Sequence, residues 1–306
     1  VDKNIGVDLS ILNNRIRVTF DYYFKDTDPL LVSIGMPPSA AATSLYTNMG
    51  RQISRGWTGT LNYVFLRKKD LSCSINMNAR ANHSEYRDIG DKLDYLNKVG
   101  SSTALNRYYE GGSPDDLWAV PSLGIDPATG DEIFLDMNGN KVNKWDSKNY
   151  KPWGSSDPKI YGTVGTMFMY KGWELNAHLY YKYGGYIYNQ TLVDKVENVN
   201  PNENGDRRIL YDRWNEPGDV AKFKKVSDVS VTNPTSRFVE KENYIQLQAL
   251  SVSYDFRSAK LKEWGIQRLK ISAIGNDVFT SSTVRMERGT SYPFARTFSL
   301  AAQITF

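Results

Sequence analysis

The sequence predicts an all-β protein whose antiparallel strands span a membrane as part of a β-barrel. Three observations predict this fold class: apolar and polar side chains alternate over long stretches, tight turns and long loops follow each other in strict order, and aromatic residues make up 13% of the chain. An alternation with a period of two is typical of a strand with one apolar and one polar face.

About nine strands follow from the alternation. It is clearest in RIRVTFDYYFK, LSCSINMNARAN and WELNAHLYYKY; in the last of these, Trp173, Leu175 and Leu179 oppose Glu174 and Asn176. No amphipathic helix is predicted. The predicted strands are 4–12, 15–26, 51–66, 71–84, 160–170, 173–183, 244–256, 267–279 and 294–306.

One strand contains a change of phase. In 244–256, the apolar parity switches between Leu247 and Leu250. An extra residue in one strand of a pair shifts the alternation in this way. We therefore predict a β-bulge near Ala249.

The connections between strands alternate between short and long. Asn13-Asn14 predicts a two-residue hairpin turn, because Asn tolerates positive φ, and 67–70 and Lys171-Gly172 predict further tight turns. The link 257–266 is of moderate length. Since the long loops alternate with tight turns, all of them are expected at one end of the sheet. The long loops are 27–50, 85–159, 184–243 and 280–293.

This order of loops favours a membrane barrel over a soluble sandwich. Outer-membrane barrels have short turns at one end, long loops at the other, an apolar outer face and a polar lumen. Strands of about 10–12 residues, rising about 3.3 Å per residue, match the thickness of the apolar band. Aromatic residues that are predicted near strand ends fit the interfacial girdles of such barrels; these are Phe24, Trp57, Trp173, Tyr183 and Phe256.

Nine strands do not close a single-chain bacterial barrel, and an open sheet edge is not tolerated in a bilayer. We therefore expect residues 1–306 to form the C-terminal portion of one larger β-barrel domain, with the remaining strands upstream of Val1. The closing segment RTFSLAAQITF is then a final strand whose apolar parity faces lipid.

Several segments resemble SusC/RagA-type TonB-dependent outer-membrane transporters, in the order that this family has them. They span nearly the whole chain: NIGVDLSILNNRIRVTFDYYFKDTDPLL, NMGRQISRGWTGTLNY, LGIDPATGDEIFLDMNGN, RWNEPGD, PTSRFVEKENYIQLQALSVSYDF, IGNDVFTSS and YPFARTFSLAAQITF. The resemblance implies a 22-stranded barrel in the outer membrane of a Gram-negative bacterium. It also implies an N-terminal plug, a TonB box for the TonB–ExbB–ExbD machinery and a SusD-like surface lipoprotein. Neither plug nor TonB box is present in these residues.

The sequence indicates no catalytic chemistry, cofactor or metal. The two histidines, His83 and His178, lack partners at metal-ligand spacing, and Cys73 lies on the apolar parity of its strand, as a small buried hydrophobe does. The segment 136–140, DMNGN, is interpreted as a hairpin turn rather than a calcium loop. Two carboxylate pairs, Asp115-Asp116 and Glu240/Glu242, are predicted to be solvated in loops.

The long loops carry the candidate ligand-binding residues. Exposed aromatic faces offer apolar contact to sugar rings, and Arg, Asn and Asp bind hydroxyl groups. For each single aromatic, packing of the loops against one another or against the lipoprotein is the preferred interpretation, and a structural role is also preferred for Arg213 and Trp214. The candidates are Tyr108, Tyr109, Trp118, Trp145, Trp153, Tyr188, Arg213 and Trp214.

The resulting functional hypothesis is the import of oligosaccharides across the outer membrane by a SusC-like transporter. Import of peptides, as on the RagA side of the family, stays open. A passive porin or adhesin barrel and a soluble all-β binding module are the further alternatives. The net charge of +4, without a basic stripe, does not indicate nucleic-acid binding.

Overall fold

The computed structural model describes residues 1–35, 44–48, 50–91, 93–99, 105–198, 206–256, 258, 261, 263–285 and 295–306. Nine long strands form one antiparallel sheet, in which each strand pairs with the next along the chain. The predicted all-β fold and the nine predicted strands are thereby confirmed. The strands are β1 (Asp2–Ile11), β2 (Ile16–Thr27), β3 (Arg51–Lys68), β4 (Leu71–Arg87), β5 (Ile160–Tyr170), β6 (Trp173–Tyr188), β7 (Val239–Phe256), β8 (Arg268–Ser282) and β9 (Thr297–Thr305).

The strands are longer than predicted at the end that carries the long loops. β4 continues to Arg87, β6 continues to Tyr188 and β7 begins at Val239. Beyond the apolar band a strand need not alternate, because neither face meets lipid there. The predicted limits therefore marked the end of the apolar pattern and not the end of the ladder. As a result, Glu240 and Glu242 lie in β7, and their predicted place in a loop is wrong.

The tight turns lie at the opposite end. Lys69-Asp70 and Lys171-Gly172 each connect directly paired residues, as predicted. The first turn is longer than predicted: Ile11 pairs with Ile16, and residues 12–15 form the connection. Leu12 takes a positive φ of 53°, as Asn13 also does, so the turn extends to a residue type that gives no turn signal.

The predicted bulge is present one residue before Ala249. His178 in β6 pairs with Ala249, whereas the next residue, Leu179, pairs with Leu247, which leaves Gln248 unpaired. The register between β7 and β8 also shifts here, but in the other sense, because two residues of β8, 277–278, lie opposite Gln248. The extra residue keeps Leu247 and Leu250 on one face, as the change of parity predicted.

One face of the sheet is apolar in every strand. Directly opposed residues of an antiparallel ladder lie on the same face, so a lateral row can be followed from strand to strand. One such row crosses eight strands and contains Leu9, Val18, Leu61, Met77, Val164, Leu179, Leu247 and Phe279. The adjacent row on the other face contains Asp8, Thr19, Thr60, Asn78, Thr163, Tyr180, Gln246 and Thr280. The sheet thus has one apolar and one polar surface.

Aromatic side chains lie on the apolar face near both ends of the strands. At the tight-turn end, the ring of Tyr254 lies 4.9 Å from that of Trp173 and 4.6 Å from that of Phe256. At the loop end, Tyr22 pairs with Trp57. Cys73 is buried between these levels, opposite Phe168. This placement agrees with the predicted girdles and with the predicted burial of the thiol.

A tyrosine crosses a glycine on the polar face. Tyr23 in β2 donates a hydrogen bond from its hydroxyl to Asn82 Oδ1 in β4, at 2.7 Å, and its ring passes over Gly56 in β3. A Cβ at position 56 would lie 2.5 Å from the Tyr23 hydroxyl oxygen. Gly56 therefore permits a contact between two strands that are not neighbours.

The long loops contain their own short elements. Asp94–Val99 is an α-helix, Gln190–Leu192 continues into a π-helical turn at Val193–Glu197, and Ser147–Asn149, Arg207–Leu210 and Ser236–Phe238 are 3₁₀ turns. Within the described residues, none of the helices has the length and apolar character needed to cross a membrane. The short loop strands are Leu31–Gly35, Ser44–Asn48, Asp116–Ala119, Ser122–Ile125, Glu132–Leu135, Lys141–Val142 and Lys151–Ser155.

Much of the buried apolar packing lies in these loops. Three clusters centre on Phe238, Ile89 and Val120, each of which is almost fully inaccessible. The first of them joins the end of β6 to the loop between β6 and β7, and the third joins the loop segments of 118–150. The described residues of the loops 88–159 and 189–238 therefore form packed units at one end of the sheet.

Candidate ligand-binding site in the long loops

A buried ion network connects the two longest loops. Arg237 donates to Glu132 Oε2 at 2.8 Å and to Glu197 Oε1 at 2.6 Å, and Thr235 donates to Glu132 Oε1 at 2.7 Å. The side chain of Glu197 is fully inaccessible. The two acidic partners raise the pKa of the Arg237 guanidinium against the opposing effect of its burial. The network fixes the loop between β4 and β5 against the loop between β6 and β7.

Arg213 is placed inside the second of these loops. Its guanidinium donates to the carbonyl oxygen of Lys224 at 2.7 Å and also to that of Val196, and the residue is only 5% exposed. Burial lowers the pKa of Arg213. Trp214 beside it donates from Nε1 to the carbonyl of Pro127 at 2.9 Å and covers Gly130 with its indole. Both side chains are engaged in contacts within and between the loops.

Three further candidates are also engaged in loop packing. Tyr188 is buried and lies edge-on to Phe238, with ring centroids 6.1 Å apart. Trp145 donates from Nε1 to the carbonyl of Pro234 at 3.0 Å. The backbone of Tyr108 is held by the Asn97 amide, through two hydrogen bonds of 2.8 and 2.9 Å.

The remaining candidates lie on or beside one short ladder. Strand Asp116–Ala119 pairs with strand Lys151–Ser155, and the pair is held against β6 by Tyr186, whose ring lies on Gly154. Tyr109 stacks on Trp118, with centroids 4.5 Å apart and ring planes inclined by 20°. Tyr109 is 43% exposed and Trp153 is 42% exposed. We call this unit, residues 116–119 and 151–155 together with Tyr109, the aromatic ladder.

Two carboxyl groups, those of Asp115 and Asp157, lie at one end of the aromatic ladder, beyond the pair Asp116–Ser155. Burial raises the pKa of Asp115, and the neighbouring Asp116 raises it further, whereas His83 lowers it. Burial also raises the pKa of Asp157, and Asp115 adds to this effect. Asn82 Nδ2 lies 3.4 Å from Asp157 Oδ2, which connects the ladder to the polar face of β4.

A role for Asp157 and Asn82 was not predicted from the sequence. Asp115 and Asp116 were predicted to be solvated in a loop, but both are partly buried and Asp116 begins a loop strand, so this prediction is wrong. Asp115 and Asp157 each flank a loop strand that contains a tryptophan, Trp118 or Trp153, and this shared arrangement is the signal that could have pointed to them. Together, these residues place two partly exposed aromatic rings and two partly buried carboxyl groups on one loop unit.

The segment 136–140 is a hairpin turn, as predicted. Asp136 Oδ1 accepts from the backbone N–H groups of Asn138 and Asn140, each at 2.8 Å, and the Asn140 amide donates to Oδ2 at 3.0 Å. These bonds lower the pKa of Asp136. Among the residues that the structure describes, no group of three or more His, Cys, Asp and Glu side chains is arranged to hold a metal ion.

Comparison with curated proteins identifies relatives over nearly the whole chain. The TonB-dependent receptor P3 of Formosa agariphila is 23% identical over 346 aligned residues, which cover 99% of this chain and 34% of the relative. The receptor P39 of the same organism is 24% identical over 90% of this chain and 31% of the relative. The TonB-dependent receptor SusC of Bacteroides thetaiotaomicron is 27% identical over 63% of this chain and 20% of SusC. The chain thus spans about a third or less of the length of these relatives.

Solved structures show the same fold. The RagAB peptide importer in its closed-closed state matches with a TM-score of 0.79 at 20% identity, over 100% of this chain and 35% of that chain. The RagAB peptide transporter matches with a TM-score of 0.76, also at 20% identity, over 92% of this chain and 32% of that chain. No protein-family model matches the chain. The relatives are therefore TonB-dependent receptors, SusC among them, and the fold is that of part of a TonB-dependent transporter barrel, in agreement with the resemblance found in the sequence.

Proposed function

From its relationship to TonB-dependent receptors, we propose that this chain forms the C-terminal part of an outer-membrane transporter barrel that imports oligosaccharides into a Gram-negative bacterium. The observation that carries the proposal is the nine-stranded sheet with one apolar face and long loops at one end, whose described residues are folded. An apolar outer surface suits lipid, and folded loops at one mouth suit the capture of a ligand. No covalent chemistry is required for this function.

The aromatic ladder is the proposed place of ligand contact. Tyr109 and Trp153 offer partly exposed ring faces on which the apolar face of a sugar ring can lie. Asp115 and Asp157 can bind sugar hydroxyl groups beside them. Of the eight predicted contact residues, Tyr109, Trp118 and Trp153 are therefore retained as first candidates. Tyr108, Trp145, Tyr188, Arg213 and Trp214 are proposed to hold the loops in place.

The whole transporter requires parts beyond these residues. We propose a SusD-like surface lipoprotein that closes the loop end. We also propose a plug domain whose TonB box connects to TonB–ExbB–ExbD. In this arrangement the ladder would hold the ligand below the lipoprotein, and displacement of the plug would release the ligand inward.

Import of peptides is the second candidate. The structural similarity to the RagAB peptide importer supports it. The carboxyl groups of Asp115 and Asp157 do not discriminate, because a carboxylate accepts hydrogen bonds from peptide ammonium and amide groups as readily as from hydroxyl groups. The two candidates differ in what the aromatic rings contribute. A sugar would require them for stacking, whereas a peptide could be held by its main chain alone.

The test is calorimetry of the full-length protein with its lipoprotein partner, against a panel of oligosaccharides and peptides. We expect oligosaccharides to bind, and Tyr109→Ala and Trp153→Ala each to weaken binding about fivefold, because such an aromatic contact contributes about 1 kcal/mol. Tyr46→Ala, at an exposed tyrosine on another loop, serves as the control and should bind normally.

Two results would overturn the proposal in different ways. Binding of peptides alone would reject the oligosaccharide assignment and support the second candidate. Unchanged oligosaccharide affinity in both ladder variants would move the binding site away from the aromatic ladder.

A further inference from the structure

A cleft of about 410 Å³ lies at the tight-turn end of the sheet, far from the aromatic ladder. It is formed across two neighbouring hairpin turns, Lys69-Asp70 and Lys171-Gly172. The backbone N–H of Lys171 donates to the carbonyl oxygen of Asp70 at 3.0 Å, so the turns are fixed side by side. The cleft is thus a defined surface and not a gap between independent loops.

The cleft has an excess of positive charge. Lys68, Lys69 and Lys171 are all exposed, and none of them takes part in an ion pair with any carboxylate of the described residues. Among the described residues, Asp70 is the acidic residue of the lining that takes part in no ion pair, which leaves three ammonium groups against one carboxylate.

The other two acidic residues of the lining are already neutralised. Glu174 accepts from Lys270 at 2.7 Å, and Asp255 accepts from Arg268 at 3.0 Å. Both pairs lie on the polar face of the sheet, beside the turns. The ion-pair partners of these carboxylates are thus Lys270 and Arg268, and not Lys68, Lys69 or Lys171.

Aromatic residues place the lysines at a boundary between apolar and polar surroundings. Lys68 pairs with Leu71, which pairs with Tyr170, which pairs in turn with Trp173, so this row is the last one on the apolar face before the turns. Lys171 Nζ lies 5.4 Å from the centre of the Tyr170 ring. Trp173 is 53% exposed on the same face. Tyrosine and tryptophan collect at the level of lipid headgroups, and lysine side chains extend from that level into water.

We propose that Lys68, Lys69 and Lys171, with Tyr170 and Trp173, form a binding site for the phosphate group of an anionic phospholipid in the leaflet that the tight turns contact. The inference rests on the proposed function in that the sheet must lie in a membrane. A lipid is the occupant, rather than a soluble phosphate, because the cleft borders the apolar face, where acyl chains can continue along the strands.

The test uses the full protein in lipid nanodiscs that contain one part phosphatidylglycerol to four parts phosphatidylcholine. Native mass spectrometry after release into neutral detergent counts the molecules of each lipid that remain bound. The wild type should retain phosphatidylglycerol preferentially, and the variant Lys68→Gln/Lys69→Gln/Lys171→Gln should retain about tenfold less. A matched control, Lys141→Gln/Lys144→Gln/Lys148→Gln, removes the same charge from an exposed loop hairpin at the other end and should behave as wild type.

Three outcomes would overturn the site. The first is equal retention of phosphatidylglycerol by the turn variant and the wild type. The second is equal retention of phosphatidylcholine and phosphatidylglycerol by the wild type. The third is displacement of the lipid by soluble glycerol phosphate, which would indicate a general anion site. Membrane fractionation separates these outcomes from failure of the proposed function: a protein absent from the outer-membrane fraction contradicts the transporter, whereas a protein resident there without lipid preference contradicts only this site.

Discussion

Arg237 shows how much a single side chain holds together in the loops. It joins Glu132 of one long loop to Glu197 of another. Both carboxylates are too deeply buried for water to replace the guanidinium as their partner. A buried ion pair adds little compared with an apolar pair, but removal of one partner leaves an uncompensated buried charge. We expect Arg237→Met to destabilise the loop assembly by about 3–5 kcal/mol.

Hydrogen exchange at residues 132–135 and 193–197 would measure this loss, and the sheet should keep its protection. Lys222→Met provides the control, because Lys222 and its partner Asp212 are both largely exposed and such pairs contribute little. Equal protection of both loops in Arg237→Met would contradict the role of the network.

The carboxyl groups of the loops predict opposite responses to pH. The raised pKa of Asp115 means that the folded state binds more protons than the unfolded state between pH 3.8 and the folded value, so local stability falls as the pH rises through that window. The lowered pKa of Asp136 has the opposite sign: its stabilisation is present above pH 3.8 and is lost as the pH falls through the folded value.

We therefore expect Asp115→Asn to increase the protection of residues 116–119 at pH 7 and to have little effect near pH 3. Asp136→Asn should weaken the turn 136–140 at pH 7. Hydrogen exchange, corrected for the intrinsic rate at each pH, measures the protection in both variants. A change of protection in the same direction for both variants at pH 7 would contradict the opposite pKa shifts of Asp115 and Asp136.

At the scale of elements, the bulge at Gln248 is an extra residue that preserves the apolar face. Deletion of Gln248 should be tolerated, because Leu247 and Leu250 would then share a face in a regular strand. Deletion of Asn176 from β6 removes the same number of residues from a strand whose apolar phase is continuous. It should invert the faces of half that strand and abolish folding.

Heat-modifiable migration of the protein on gels distinguishes the two deletions. Folding of both, or of neither, would show that the phase of the apolar residues does not control these strands.

The strands were predictable because lipid contact imposes a two-residue alternation that can be counted. The ends of the strands at the loop side were not predictable, since β4, β6 and β7 continue beyond the apolar band in segments such as SEYR and GGYIY that lack the pattern.

Of the candidate site, the aromatic content of the loops was visible in the sequence. The pairing of 116–119 with 151–155 could not be predicted from the sequence, because it depends on contacts between distant residues. This pairing brings Trp118, Trp153, Asp115 and Asp157 into one unit.

For the whole molecule, the opposite character of the two faces predicts different tolerance of charge at neighbouring positions. Met77 lies in the middle of the apolar row, and Asn76 lies on the polar face beside it. In the proposed barrel, Met77→Arg should destabilise the fold by about 2–4 kcal/mol, the cost of arginine at the bilayer midplane. Asn76→Arg should be tolerated.

Unfolding in urea from lipid vesicles would measure both variants. Equal destabilisation by the two substitutions would contradict the assignment of the lipid-facing surface.

The contact of Tyr23 with Asn82 has a consequence for the order of assembly. Neighbouring strands of a meander can pair as separate hairpins, each without reference to the next. A hydrogen bond from β2 to β4 across Gly56 forms only after β3 has been inserted between them with both of its registers correct. The hydrogen bond of Tyr23 therefore depends on the register of β3 with β2 and on its register with β4 at the same time. A slip of one residue at either interface would leave the Tyr23 hydroxyl without this partner.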